Sequence, residues 1–504
     1  MSEKDGHTVS SHATTSNDHK ETDQALVFLK QVGAPTEEGR EDLQRIRRKV
    51  DWNIIPILFV CYTLQFIDKV ALNYGAVMGL PKDLHLKGND FSNAGTAFFI
   101  AYLIAEIPNA MALNKVPAGK WLGINVALWG IATACTAAAH NYHTLLVARI
   151  FLGIFEAAIA PSLMMISSQW YNKSEQAPRF SLWYTGLGVG QIVGGALSFG
   201  FQHVTSKTLP GWKLLFIVLG VFTFVVGIIT FFVVPDSPMT ARFLNDQQKA
   251  ALLQHISVNK TGVRSKEVTL SHVKEALFDV QLWLMTIMTI CISVSSGVIT
   301  TYSATVIRNF GYTPKKSALL NMPGGVISIF STLLVGYGVR YTSNRWAWLV
   351  ACCIPGIIGG ALMSFLPKHN HSGLLAGIYM VNFVVATLAV IYQWTAANVA
   401  GTTKRAFSLA LISGSFSVGN IIGPQTFQAK DAPQYIPAKI AVLATQAAGA
   451  LVAIVLFAYY VWENKRRDQA EQVQGEKTDA ASVNSEGDWA NLTDRENKSF
   501  RYVY

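Results

Sequence analysis

The sequence predicts an all-α membrane protein of twelve transmembrane helices arranged as two six-helix bundles. Three observations carry that prediction. Of 504 residues, 51% are hydrophobic and only 14% charged, against about 25% charged in an ordinary soluble domain. Mean hydropathy is +0.29 over the whole length, so the apolar material is spread over many segments. Stretches of the ~20 apolar residues needed to cross a bilayer recur six times, stop at a polar interval near the middle, and recur six times more.

Residues 1–50 are read as a disordered cytosolic tail, because a segment so rich in Ser, Thr, His, Asp and Glu cannot bury enough apolar surface to fold alone. The basic collar Arg45-Ile46-Arg47-Arg48-Lys49 closes that tail and places it in the cytosol. The first bundle, residues 51–235, contains spans Trp52–Val77, Phe91–Leu113, Trp121–His140, Tyr142–Ser167, Phe180–Gln202 and Trp212–Val234. A cytosolic central loop, residues 236–280, follows. The second bundle, residues 281–462, contains Gln281–Val306, Ser317–Arg340, Trp346–Leu366, Leu374–Asn398, Phe407–Thr426 and Ile436–Trp462. Residues 463–504 form a second polar cytosolic tail.

The even span number puts both tails on one side. The short loops hold equal numbers of Lys and Arg on the two sides, so orientation rests on the flanks: the N-terminal collar, Lys465-Arg466-Arg467, and the basic central loop. The sequons at Asn172, Asn259, Asn491 and Asn497 are then cytosolic and unglycosylated. Trp52, Trp121, Trp212, Trp346 and Trp462 sit at span ends, where interfacial tryptophans anchor.

Span 5 carries Gly186, Gly190 and Gly194 at close-packing spacing, and span 11 carries Gly414, Gly419 and Gly423. That echo marks an internal repeat of six spans. All five cysteines fall in apolar segments without metal-type spacing, so they read as small buried hydrophobes. No metal or cofactor is expected, no catalytic or phosphate-binding motif points to an enzyme, and the +10 net charge, spread over span flanks, gives no reason to expect nucleic acid.

The chemistry lies in charges inside the spans. Asp68 and Lys69 interrupt span 1, and Arg149 and Glu156 interrupt span 4. Such charges cost roughly 2.5–3.5 kcal/mol each on insertion and by default mark a substrate or ion path. At 1.5 Å per residue, Asp68, Lys69 and Arg149 fall in one layer, with Glu156 and Glu106 about 10 Å deeper. A lysine and an arginine suit an anionic cargo. A proton carrier needs a carboxylate that desolvation brings toward neutrality, and Asp68, Glu156 and Glu106 are the candidates. Gln65, Gln191, Gln393 and Asn420 are the candidate donors to the rest of the cargo. The alternative is that the charges are structural pairs, Arg149 with Glu106 or Lys69 with Glu156, and that the amides are interhelical glue.

With these residues in view, the chain resembles the major facilitator superfamily, in its anion:cation symporter branch and the fungal allantoate permease-like group. The resemblance runs from about Asp51 to Tyr502. It is carried by Asp68-Lys69-Val70-Ala71-Leu72-Asn73-Tyr74, Glu106-Ile107-Pro108-Asn109, Leu128-Trp129-Gly130, the stretch from Arg149 to Ala157, Gln169-Trp170-Tyr171, Pro235-Asp236-Ser237-Pro238, and the tail motifs Leu492–Asn497 and Phe500-Arg501-Tyr502. It implies anion binding and proton coupling at Asp68, Lys69, Arg149 and Glu156. Many relatives have Arg where Lys69 stands, so carboxylate geometry differs here. It further implies a monomeric plasma-membrane importer of allantoate, ureidosuccinate, nicotinate, pantothenate or a related carboxylate. The competing reading is an exporter of a fungal secondary metabolite. Against it stand a span 5 without proline and a loop of Asn114–Lys120 that lacks the antiporter pattern.

Overall fold

The computed structural model describes residues 43–113, 115–171, 173–204, 206, 209–257, 270–367, 369–475, 493–498 and 500–504. Among the described residues the regular secondary structure is entirely helical. Twelve rods run in chain order: α1 Leu43–Val77, α2 Asp90–Leu113, α3 Ala118–Thr136, α4 Tyr142–Trp170, α5 Lys173–Tyr184 continued by Gly186–Phe201, α6 Gly211–Val233, α7 Val280–Asn309, α8 Pro314–Thr342, α9 Arg345–Phe365, α10 His371–Asn398, α11 Thr402–Gln425 and α12 Ile436–Gly475. Ten are long and apolar enough to cross a membrane. The other two are α3, whose 19 residues include Lys120 and Asn125, and α5, which breaks at Thr185 into pieces of 12 and 16 residues.

The boundaries follow local chemistry. Asn141 caps α4, accepting from the Thr144 amide at 3.0 Å while Thr144 returns the bond in a capping box. Thr313 caps α8, with Pro314 at the first helical position. The first helix departs from expectation. Residues 43–50, expected in the N-terminal tail, form its opening turns, because Ile46 and Val50 lie four apart on one face and are buried at 0% and 1% exposure. The rest of that tail, and the sequons at Asn172, Asn259 and Asn491, lie outside the described residues.

The helices pack in a repeating order. In the first six, α3 lies along α6, α2 along α4 and α1 along α5. In the second six, α9 lies along α12 and α7 along α11. One apolar core runs from Ile46 to Ile256, joined by Ala304, and a second from Met285 to Tyr502. The two glycine stripes do matching work: Gly186 and Gly190 bring α5 onto Thr63 of α1, and Gly419 and Gly423 bring α11 onto Ser293 and Gly297 of α7. A Cβ at Gly188 would collide with the Gly325 carbonyl, so α5 and α8 touch backbone to backbone.

The halves meet along α5–α8, α2–α11 and α1–α7. Their side-chain hydrogen bonds concentrate away from the face that carries the described terminal segments. There Asn73 donates to Ser303 at 2.9 Å, Ser92 meets the Tyr302 hydroxyl at 2.6 Å, and Asn89 donates to Gln428 at 2.8 Å.

Two smaller expectations change. Trp212 is fully buried and donates to Asp83 at 2.7 Å, because the short helix Leu80–Asp83 folds back over it, so it serves a turn and not the lipid interface. All five cysteines are free thiols, but Cys135 is exposed and Cys291 half-exposed on helix surfaces, while the other three are buried.

Candidate functional site

Between the halves lies a cavity of about 90 Å³, several times the ~10–15 Å³ that one water needs. Helices α1, α2, α4, α5, α7, α10 and α11 all contribute to its wall. Lys69 and Gln65 line it from α1 and Asn420 from α11. Rings from both halves complete it, among them Tyr62, Tyr102, Trp183, Tyr184 and Tyr392.

The charges cluster beside this cavity. Lys69 Nζ stands 3.2 Å from Glu156 Oε1, with the lysine 13% exposed and the glutamate fully buried. The two-layer estimate separated these groups; the structure joins them. Helical side chains lean toward their own N-termini, and α1 and α4 run in opposite directions. Lys69 therefore reaches down as Glu156 reaches up, and a long lysine stem closes the remainder. Neither Glu156 oxygen meets hydrogen-bond geometry with any partner. Lys69 Nζ also lies 5.5 Å from the centre of the Tyr102 ring.

Asp68 faces the other way, as its 100° offset from Lys69 requires. Its carboxylate accepts from Trp129 Nε1 at 2.9 Å and from Thr133 Oγ1 at 3.1 Å. Both donors sit four apart on α3, so they form one clamp. Trp129 belongs to a stretch noticed in the sequence, yet only the fold shows that it holds Asp68. Arg149 is 2% exposed, stacks 4.7 Å over the Phe98 ring, and has no hydrogen-bond partner at Nε or Nη1. A guanidinium in that state is an unmet demand for an anion. Gly153 makes this possible: the α2 backbone at Phe98 passes where its Cβ would stand.

The remaining candidates divide. Glu106 is half-buried and accepts from Ser413 of α11, a cavity-lining residue, so it bridges the halves and is not paired with Arg149. Gln191 lies off the cavity lining. It donates to the Asn321 carbonyl at 3.1 Å, and Asn321 donates to Tyr74 at 3.0 Å, a three-residue lock of α1, α5 and α8. Gln393 is half-buried, also off the lining, next to a Trp394 that turns away to donate to the Val503 carbonyl. Among the described residues no group of acidic, His and Cys side chains is arranged to hold a metal.

Two half-bundles around a central cavity, with buried charges at its edge, define a membrane transporter. The Major Facilitator Superfamily profile matches residues 58–424, and the chain belongs to that superfamily. It is 37% identical to the thiamine pathway transporter of Saccharomyces cerevisiae, covering 98% of this chain and 96% of that protein. It is 29% identical to the allantoate permease of the same yeast over 94% of this chain and 88% of the permease. It is 31% identical to the MFS-type transporter cnsL of Penicillium expansum over 92% and 88% of the respective chains. Among solved structures, the D-xylose-proton symporter superposes with TM-score 0.61 at 15% identity, over 80% of this chain and 97% of that one. A bacterial homologue of the lysosomal transporter Spinster, inward-facing and unoccupied, gives 0.59 at 18% over 81% and 95%. The chain is a multi-pass membrane transporter of small molecules.

Proposed function

We propose that this transporter imports a small organic anion together with protons. The observation that carries the reading is the Lys69–Glu156 pair, 3.2 Å apart and buried at the edge of the central cavity, with neither glutamate oxygen otherwise hydrogen-bonded. An incoming carboxylate competes with Glu156 for Lys69. A proton on Glu156 releases the lysine to the cargo, so cargo and proton bind best together. Asp68, held by Trp129 and Thr133, is a second proton site, and Glu106 a third that meets Ser413 across the halves. Arg149 supplies the balancing positive field. Residues 51–235 and 281–462 act as two bundles that rock about the cavity, exposing it to each side in turn. The basic flanks orient both tails to the cytosol, and the similarity to the allantoate permease supports a carboxylate cargo at the plasma membrane.

The test is uptake of a radiolabelled organic-acid panel in a yeast lacking its own organic-acid permeases, at pH 5 and pH 7.5. The expected result is acid-stimulated uptake of one anion, lost in Asp68→Asn and Glu156→Gln at normal surface expression. Surface-expressed protein that takes up none of the panel at either pH would falsify import of that class, and outward movement of a metabolite would then be measured instead.

A further inference from the structure

Resting on that reading, we infer that the cargo is a flat, conjugated ring carrying a single carboxylate, with one hydrogen-bond acceptor and one donor on its edge.

The wall of the cavity carries the inference. Phe180, Trp183 and Tyr184 of α5 pack with Tyr62 of α1 into a continuous aromatic face. Phe180 and Tyr184 stack at 5.3 Å and 19°, and Tyr62 meets Trp183 edge-on at 4.7 Å. Such a face rewards a planar π-system laid against it and gives little to a puckered ring or a branched chain. The lining has one cation, Lys69, already shared with Glu156. A second carboxylate on the cargo would find no second partner there, because Arg149 lies off the lining.

Three lining residues hold polar atoms that are buried without a partner: Gln65 Nε2, Trp183 Nε1 and Asn420 Oδ1. Their residues are only 2%, 1% and 0% exposed. Asn420 Nδ2 already donates to the Phe416 carbonyl at 2.8 Å, which fixes its oxygen as the open acceptor. Two open donors and one open acceptor describe the complement: a carboxylate reached by Lys69 and Gln65, a ring acceptor for the Trp183 indole, and an N–H or O–H for Asn420.

The experiment uses the purified full-length protein in detergent and reads binding from ligand-induced thermal stabilisation at pH 5. The probes are pyridine-3-carboxylate, benzoate, cyclohexanecarboxylate and benzene-1,3-dicarboxylate. Expected is the order pyridine-3-carboxylate, benzoate, then the saturated and doubly charged acids, with about tenfold between the first and the saturated acid. Trp183→Phe keeps a ring but removes the N–H, so it weakens pyridine-3-carboxylate by about tenfold and leaves benzoate unchanged. Equal or tighter binding of cyclohexanecarboxylate or the dicarboxylate overturns the planar monoacid while leaving anion transport standing. Saturable binding by none of the four acids overturns the planar monoacid, and import itself then stands or falls on the yeast uptake panel.

Discussion

The protein buries two charge clusters, and they are built on opposite plans. At the terminal face of the second half, Lys404 is fully buried and touches three carboxylates: Glu275 at 2.8 Å, Asp279 at 2.7 Å and Asp494 at 2.7 Å. Each acid has further partners. Gln281 donates to Asp279 at 2.8 Å and to Asp494 at 2.9 Å, Tyr502 donates to Asp494 at 2.8 Å, Thr493 donates to Glu275 at 2.9 Å, and Arg495 pairs with Asp279 at 3.1 Å. The segment 493–504 is thereby stitched beneath α7, α9, α10, α11 and α12. Arg467 holds the backbone carbonyls of Asp494 and Phe500, Asn398 brackets Val503, and the Arg345 amide donates to the Tyr504 carbonyl. At the cavity the opposite holds. Glu156 has one ionic neighbour and no hydrogen bond, and Arg149 has two buried nitrogens without partners. A closed network fixes a structure. An open one leaves its members free to exchange partners, which a transport cycle requires.

Breaking the closed network has the largest effect on stability. Lys404→Met leaves three clustered carboxylates without their cation, and removing one member of a buried ionic network costs about 3–5 kcal/mol. The melting temperature in detergent should fall steeply and surface expression with it. Loss of transport without a fall in melting temperature would mean that Lys404 belongs to the working machinery, and the contrast between the clusters would collapse.

The open cluster predicts the reverse. Glu156→Gln should abolish acid-stimulated uptake while costing less stability than Lys404→Met, because it keeps the side chain's shape and removes one ion pair where Lys404→Met removes three. Lys69→Met should lose uptake at every pH, since no lining cation remains. If both variants instead melted as low as Lys404→Met, the pair would be a structural tie between α1 and α4, the alternative the sequence left open.

Arg149→Met sharpens the same point. Replacing an under-bonded buried guanidinium by a shorter apolar chain should cost less stability than Lys404→Met, because two of its nitrogens have no hydrogen-bond partner to lose. Uptake should fall at least about tenfold through the lost positive field. Destabilisation beyond about 2 kcal/mol would show that the stacking on Phe98 matters more than the charge.

The two clusters also differ in how far they could be read from the sequence. Asp68, Lys69, Arg149 and Glu156 announce themselves because each interrupts an apolar run, and the twelve rods are equally plain because a bilayer fixes span length. The contact between Lys69 and Glu156 was not legible from rise per residue alone, since rise ignores the direction in which side chains lean. The Trp129–Thr133 clamp on Asp68 depends on which face α3 presents, and α3 is among the least apolar of the rods. Gln191 and Gln393 sit in the right spans but on faces turned to α8 or away from the cavity, and helical phase decides that. The Lys404 network was least legible. Lys404 reads as an ordinary loop cation at a span end, and Asp494 lies 90 residues further on in a polar tail. No local pattern tells that such a tail returns to cover a buried lysine.

The smallest effect tests how completely the tail network is closed. Tyr502 donates to Asp494 and accepts from Arg467 Nη2 at 3.1 Å. Burial, and then the neighbouring Asp494 carboxylate, push its phenol well above the usual tyrosine range. A group with a raised folded-state value contributes stability that is full below its unfolded value and is lost as pH rises beyond it. Tyr502 should therefore add a constant increment up to about pH 10, the ordinary tyrosine value, and lose it above that. Tyr502→Phe removes the hydroxyl at a cost of about 1 kcal/mol, so the melting temperatures of wild type and variant should differ by a fixed amount from pH 6 to pH 9 and converge above pH 10. A difference that stayed constant through pH 11 would mean that the folded-state phenol titrates as it does in the unfolded chain, so that water reaches the tail and the network around Lys404 is as open as the one at the cavity.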